Sequence, residues 1–313
     1  MATNATSHIG LLKESVRDFL DDDCPSMAAA LSYYTIFSLP PLLVLLLLLL
    51  GALVAPQDIQ GTVEGRIRSL MGPAAGQQIR TILAHAERPG TGVIATVLGA
   101  AALVLGATGV FGQLQAALNR AWKVAPDPTK GGIKRFLVKR AFSLGMVLSL
   151  AFVLLVSLVL SAALSAFGDS LGRFLPEGLS AGVLEAINFA LSFGVIALLF
   201  AAIFKVLPDA TIAWSDVWPG AIFTALLFVA GKFLLGIYLG HSKPGEAFGA
   251  AGALASMLVW IYYSSMIMLL GAEFTQTWAV QRGKGIQPER GAVRVVLERH
   301  LVHPSRGQTR PGS

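Results

Sequence analysis

The stretch SMAAALSYYTIFSLPPLLVLLLLLLGALV, residues 26–54, decides the fold because it carries no charge over 29 residues. At about 1.5 Å rise per residue, a helix of this length exceeds the roughly 30 Å of a hydrocarbon core. Its second half is almost wholly aliphatic. The stretch therefore predicts a transmembrane helix, around which the other helices are arranged.

The first half of this predicted span differs from lipid-facing sequence because hydroxyl groups crowd together just before two prolines. The residues concerned are Ser32, Tyr33, Tyr34, Thr35, Ser38, Pro40 and Pro41. Each proline removes a backbone donor, so a carbonyl of the preceding turn loses its helical partner. In hydrocarbon, such a carbonyl needs a neighbouring helix, a hydroxyl or water. We expect this half to face protein or a wet cavity.

The overall composition indicates a polytopic membrane protein. Of 313 residues, 54% are hydrophobic and 13% are charged, whereas soluble domains average about 25% charged residues. A net charge of +6 would suggest nucleic acid as a partner of a soluble protein. In a membrane protein, basic residues flank the helices on the cytoplasmic side, so we expect no nucleic-acid partner. The single cysteine, Cys24, excludes an internal disulfide and is expected to be inert beside three aspartates.

Hydrophobic periodicity predicts an all-α integral membrane protein, built as a six-transmembrane-helix bundle within residues 26–280. The predicted spans are about 26–54, 91–110, 141–167, 183–206, 220–240 and 249–278, with an outer loop at 55–90. Residues 1–25 contain an amphipathic helix, expected to lie at the membrane interface. Residues 281–313 form a basic tail that we expect to be partly disordered.

The distribution of Lys and Arg predicts the orientation. With the N-terminus inside, the inner segments hold 17 Lys and Arg and the outer segments hold 6. This positive-inside bias predicts a multi-pass membrane protein with both termini in the cytoplasm.

Small residues predict the packing face of the second span. Gly99, Gly106 and Gly109 recur at helical spacing, together with alanines, and such a smooth face lets another helix approach closely. Gly252 is assigned the same packing role in the sixth span.

The sequence offers no familiar catalytic or cofactor motif. The five histidines are scattered, and no HExxH, paired Cys, Walker A or dinucleotide-binding fingerprint occurs. A zinc or two-metal hydrolase would need such ligands. We therefore expect no metal, no cofactor and no enzymatic activity.

Polar groups inside the spans are the stronger signal of function. Lys232 is the one charge well inside a span, which is costly and suggests function, although a snorkelling lysine is an alternative. Glu273 lies near the inner end of the sixth span, where a carboxylate can reach the headgroups. Aromatic side chains more often fill a bundle than bind a ligand. The candidates for a substrate path are Lys232, Tyr33, Tyr34, Thr35, Ser38, Pro40, Pro41, Gln113, Trp260, Tyr262, Tyr263 and Glu273.

Four stretches of the sequence resemble the YihY/BrkB family of bacterial inner-membrane proteins. They are AAALSYYTIFSLPPLL, FGQLQAALNRAW, PGAIFTALLFVAGKFLLGIYLG and FGAAGALASMLVWIYYSSMIMLLGAEF, and the resemblance extends from Asp18 to Trp278. It implies a six-span protein of the bacterial cytoplasmic (inner) membrane, of poorly defined activity and often called a transporter. Members also carry an old ribonuclease BN label, which the missing metal ligands disfavour here.

The leading functional hypothesis is transport or binding of an anionic or amphipathic solute, including a lipid-linked one. The kinked first span would line the path and Lys232 would attract the anion. The alternative is a non-transporting membrane scaffold or envelope accessory protein, and a ribonuclease-type enzyme comes third. The expected partners are membrane lipids and the solute, and a homo-oligomer is left open.

Overall fold

The computed structural model describes residues 8–50, 61, 63–65, 67–68, 76–81, 106, 109–130, 138, 145, 179–242 and 250–296. The predicted third span, 141–167, lies outside these residues except for Gly145, as does most of the second span, including Gly99. Most of the outer loop and the end of the tail, 297–313, also lie outside them. All structural statements below concern the described residues.

Helices account for most of the described chain. They are α1 (His8–Asp21), α2 (Cys24–Leu50), α3 (residues 109–121), α4 (Leu179–Val206), α5 (Trp214–Ser242) and α6 (Ala250–Gln281). α2 continues through Pro40 and Pro41. Two non-glycine residues with positive φ follow helix ends: Asp23 (57°) after α1 and Lys123 (56°) after α3. A left-handed residue at this position is a common way to end a helix.

Three helices of the described chain are long and apolar enough to cross a membrane. The apolar segments are Phe189–Val206 of α4, Trp214–Ile237 of α5 and Leu254–Gln281 of α6. Large apolar side chains such as Phe189, Leu226 and Phe233 are exposed on these helices, as expected of surfaces that face lipid rather than water. The prediction of a mostly helical membrane protein is therefore confirmed, whereas the count of six spans stays a prediction.

α5 and α6 pack through a reciprocal pair of glycines and threonines. Thr275 of α6 lies against the Cα of Gly220, and Thr224 of α5 lies against the Cα of Gly271. Each threonine hydroxyl donates to the carbonyl four residues earlier in its own helix, at 2.6 Å for Thr224 and 2.7 Å for Thr275. No polar group of either threonine side chain is therefore left unsatisfied where the two backbones approach closely.

Two short antiparallel ladders, which the sequence analysis did not predict, join the connections between helices. β1 (Val124–Pro126) pairs with β4 (Ala292–Arg294), and β2 (Ala210–Thr211) pairs with β3 (Gln287–Pro288). The ladders bring together residues 122–130, 207–213 and 282–296, and we call the surface that they form the ladder face. These segments contain six Lys or Arg and three Asp or Glu.

α1 is amphipathic, as predicted, but its apolar residues divide between two surfaces. Leu11 and Phe19 are buried where α1 packs on α6 and α2. Ile9, Leu12, Val16 and Leu20 are exposed along a neighbouring ridge. The interfacial position of α1 stays a prediction, for which this ridge offers a surface.

Candidate functional site

A cavity of about 1130 Å³ opens at the ladder face, between the ends of α1 and α3 and the strands β1 and β4. The helix-ending turns at Asp23 and Lys123 set the positions of the two helix ends that border it. Strand β4 closes one side because its backbone pairs with β1. The cavity is therefore built from segments that are far apart in the sequence.

The charged lining of the cavity is predominantly basic. Its charged residues are Arg17, Arg120, Lys123, Arg294, Asp21 and Asp22. Arg17 is engaged by Asp21, with 3.4 Å between Nε and Oδ2. Within the described part of the chain, the other three cations form no ion pair. Such cations can bind the oxygens of a phosphate or carboxylate.

Asp22 is the one buried acid of this lining. Asp22 lies in the turn between α1 and α2, and only 7% of its surface is exposed. Burial raises the pKa of this carboxyl, against the opposing effect of Lys123. Its Oδ2 has no hydrogen-bond partner among the described residues. Asp22 is thus a carboxyl that can take up a proton more readily than an exposed aspartate.

Asn119 fixes the end of α3 against the connection between α4 and α5. Its Nδ2 donates to Asp209 Oδ2 at 2.9 Å, and its Oδ1 accepts from the backbone N–H of Asp209 at 2.8 Å. Gln115, one turn earlier, also donates to Asp209, at 3.2 Å. Because Gln115, Asn119 and Arg120 are close together on α3, this bonding holds the basic wall of the cavity in place.

Glu273 lies in α6, outside the lining of the cavity, and is completely buried. Its Oε1 accepts from the thiol of Cys24 at 3.5 Å, and its Oε2 has no hydrogen-bond partner in the part of the chain that the structure describes. The indole N–H of Trp122 donates to the neighbouring carbonyl of Ala272 at 3.1 Å. The expectation that Glu273 reaches the headgroups does not match this burial, because α1, α2 and the end of α3 cover it.

The predicted candidates of the first span are divided between two environments. Tyr33 and Tyr34 are exposed, and Thr35 and Pro40 are half-buried. Ser38 is buried and its Oγ lies 3.4 Å from the position of a Cβ built on Gly109. A Cβ built on Gly106 would lie 2.7 Å from Pro41 Cγ. The part of α2 around Pro40 and Pro41 is thus in close contact with Gly106 and Gly109, which were predicted to pack.

The other candidates lie apart from the cavity. Lys232 is exposed on α5 and does not line the cavity. Trp260 is buried against Phe228 of α5, with ring centroids 6.0 Å apart, and Tyr263 lies over Gly231. Of the remaining residues singled out from the sequence, Tyr262 is exposed, Gln113 is half-buried and Gly252 is buried.

The sequence analysis did not single out Asp22, Asn119, Arg120 or Asp209. A usable signal was present for Asn119 and Arg120, because both lie in the stretch FGQLQAALNRAW that carries the family resemblance. The repeated pattern Gly-Ala-x-Phe-Thr, at 220–224 and 271–275, could likewise have indicated that α5 and α6 pack through equivalent residues.

The helices and their apolar surfaces define a membrane protein, and comparison with known proteins gives its family. The chain matches the family described as virulence factor BrkB over residues 15–294. It belongs to this family, also called YihY/BrkB, which confirms the resemblance stated from the sequence.

The curated relatives carry the name UPF0761 membrane protein. One from a Psychrobacter strain is 27% identical over 295 residues, which are 93% of this chain and 52% of the relative. One from Pseudomonas aeruginosa is 29% identical over 256 residues, 81% of this chain and 59% of the relative. One from Xanthomonas oryzae is 29% identical over 275 residues, 87% of this chain and 61% of the relative. The chain thus spans about half to three fifths of their length. No solved structure matches it.

Proposed function

We propose that this membrane protein binds an anionic or amphipathic solute, including a lipid-linked one, in the cavity of the ladder face and moves it through or along its helices. The observation that carries the proposal is the lining of the cavity, in which Arg120, Lys123 and Arg294 have no ion-pair partner among the described residues. Cations held in this way favour phosphate or carboxylate oxygens over a neutral group.

The position of the cavity supports an amphipathic solute. It borders α1, which exposes the apolar side chains of Ile9, Leu12, Val16 and Leu20, and α3, whose Gly109 lies close to Ser38 of α2. An acyl chain would find apolar surface beside a basic headgroup site. The excess of Lys and Arg on the ladder face supports a cytoplasmic position for it, and we propose that this membrane is the inner membrane.

Lys232 keeps a separate proposed role, as an attractor of the anion farther along α5. Its side chain is exposed on a helix long enough to span the membrane, where an unpaired charge is costly. We assign it to a later part of the path because it does not line the cavity.

A membrane scaffold is the second candidate, and the two ladders favour it. Asn119 and Asp209, together with the pairing of β1 with β4 and of β2 with β3, join three connections into one surface. A surface of this kind could hold a partner without any movement of solute. A catalytic role ranks third, since the described residues contain no group of three or more His, Cys, Asp or Glu that could hold a metal.

Binding of lipids to the purified full chain tests the proposed function. Native mass spectrometry with phosphatidylglycerol, which is anionic, and phosphatidylcholine, which is zwitterionic, should show preference for the anionic lipid. Each basic residue near a headgroup contributes about 1 kcal/mol, so Arg120→Gln with Lys123→Gln should weaken binding by about 2 kcal/mol, or roughly thirtyfold.

The matched control is Lys284→Gln with Arg290→Gln. Both of these residues are exposed on the same ladder face but lie outside the lining of the cavity. Binding that falls equally in the two double variants would indicate general attraction to the surface and contradict the proposed site.

A further inference from the structure

Glu273 is a buried acid that the proposed solute site does not use. Its side chain is completely buried in α6, and α6 extends to Gln281, so Glu273 lies about 12 Å from the end of the helix by the rise per residue. Within the described chain it forms no ion pair. An ionised carboxylate without a partner is strongly disfavoured in such a place.

The two carboxylate oxygens of Glu273 have different surroundings. Oε1 accepts from Cys24, which is itself completely buried. Oε2 is buried, and no described residue forms a hydrogen bond with it. A structural carboxylate would be expected to have both oxygens bonded, whereas a carboxylic acid can carry a proton on the open oxygen.

The charged and titratable groups around Glu273 do not supply a dedicated counter-ion. Those that act on it are Asp18 of α1, Asp22 of the following turn, Cys24 of α2 and Lys123 after α3. Arg120 acts on Asp22 and Cys24. On the remaining side, α5 packs through Gly220 and Thr224, which do not titrate. Among the described charged groups that act on Glu273, the two acids Asp18 and Asp22 therefore outnumber the one base, Lys123.

Asp22 connects this position to the cavity. It lines the cavity, it is buried apart from 7% of its surface, and its Oδ2 is unpartnered. Burial raises the pKa of Asp22, so this side chain can accept a proton from the cavity and release it again. The charge of Asp22 also acts on Glu273, which makes Asp22 the candidate to pass a proton from the cavity to Glu273.

We propose that Glu273 is a proton-binding site of the membrane domain, loaded from the cavity by way of Asp22. The proton is taken up on Oε2, which converts the carboxylate to a neutral carboxylic acid, while the thiol of Cys24 continues to donate to Oε1. The proton-binding site does not depend on the proposed function. A coupling of proton uptake at Glu273 to solute binding in the cavity rests on the proposed function.

Infrared difference spectroscopy of the full chain in lipid nanodiscs tests the proton site directly. Between mildly acidic and strongly alkaline pH, the wild type should lose a carbonyl band of a buried carboxylic acid. The protonated fraction should fall about tenfold for each pH unit once the group ionises. Glu273→Gln should lack the band, and Glu289→Gln, which replaces an exposed acid on the ladder face, should keep it.

Glu273→Asp is the alternative variant if Glu273→Gln does not fold. It keeps a carboxylic acid at this position, but the carbonyl band of that acid should shift. A band that is the same in the wild type, Glu273→Gln and Glu273→Asp would overturn the proposal. If Glu273→Gln loses the band but binds phosphatidylglycerol as the wild type does, the proton site is supported and is separate from the solute site. A normal band with no binding of phosphatidylglycerol would contradict only the proposed function.

Discussion

Thr275 of α6 lies directly against the Cα of Gly220 of α5, and this contact is repeated by Thr224 and Gly271. Next to it, Phe223 and Phe274 stack with ring centroids 4.5 Å apart. The two helices are therefore joined by equivalent residues of the same Gly-Ala-x-Phe-Thr pattern. Small residues at a close crossing are the main determinant of helix association in lipid.

The first prediction is that Gly220→Ala destabilises the protein by about 1–3 kcal/mol, the usual cost of overpacking. The added methyl group would overlap Thr275. Gly236→Ala is the control on the same helix, because no described residue lies within 4 Å of a Cβ built there. Thermal unfolding in detergent gives the comparison, and equal stability of the two variants would show that the α5–α6 contact is looser than described.

Gly106→Leu should disrupt assembly, because a side chain there meets Pro41 at 2.7 Å from its first carbon. Gly112→Leu should remain folded, because no described residue lies within 4 Å of a Cβ built on this glycine. The yield of monodisperse protein after size exclusion measures both. Normal yield of Gly106→Leu would mean that this face of the second span meets lipid instead of α2.

The stability of the protein should depend on Asp22 and on pH. Because burial raises the pKa of Asp22, the folded chain binds a proton on the Asp22 carboxyl more tightly than the unfolded chain does. Stability therefore falls as pH rises from the ordinary aspartate value of 3.8 through the raised pKa of the folded state. Asp22→Asn should be more stable than the wild type at neutral pH, with the difference shrinking on acidification.

Asp21→Asn is the matched control for this pH effect. Asp21 is exposed and its partner Arg17 is also exposed, so its replacement should change stability by less than about 0.5 kcal/mol. Melting curves across a pH series measure both variants. A difference between Asp22→Asn and the wild type that grows on acidification would contradict the burial of Asp22.

Orientation is tested by thiol labelling in intact cells, in a Cys24→Ala background. Cysteines at Gln57 and Ser242 should react with an impermeant reagent, because they lie in predicted outer segments. A cysteine at Thr129, on the ladder face, should react only after the membrane is opened. Labelling of Thr129→Cys in intact cells would place the ladder face outside.

The long helices could be predicted from sequence because a run of apolar residues is a local signal. α4 and α6 begin and end within about four residues of the predicted spans. The ladders could not be predicted in this way, since their strands have two or three residues and Val124 pairs with Arg294. Such pairing depends on how the helices meet, which no short window of sequence contains.

The candidate site shows the same limit. Glu273 was recognised as a polar residue in a span, but its burial depends on α1, α2 and Trp122 arriving from distant parts of the chain. Lys232 drew attention because it is a charge within an apolar run, yet it lies apart from the cavity. In the sequence, Arg120 and Arg294 are indistinguishable from the charges that ordinarily flank membrane helices. Only the pairing of the ladders brings them to the lining of one cavity.

Transbilayer movement of lipid in vesicles containing the full chain tests the central claim most directly. Dithionite removes the fluorescence of labelled lipid in the outer leaflet, and further loss reports movement from the inner leaflet. We predict further loss with labelled phosphatidylglycerol and not with phosphatidylcholine. Lys232→Met should abolish this further loss of fluorescence. Lys232→Arg should reduce it in part, because the guanidinium group has a different geometry from the ammonium group. The double variant Arg120→Gln with Lys123→Gln should slow it. Loss with phosphatidylglycerol no greater than in protein-free vesicles would contradict transport of anionic lipid and favour the scaffold.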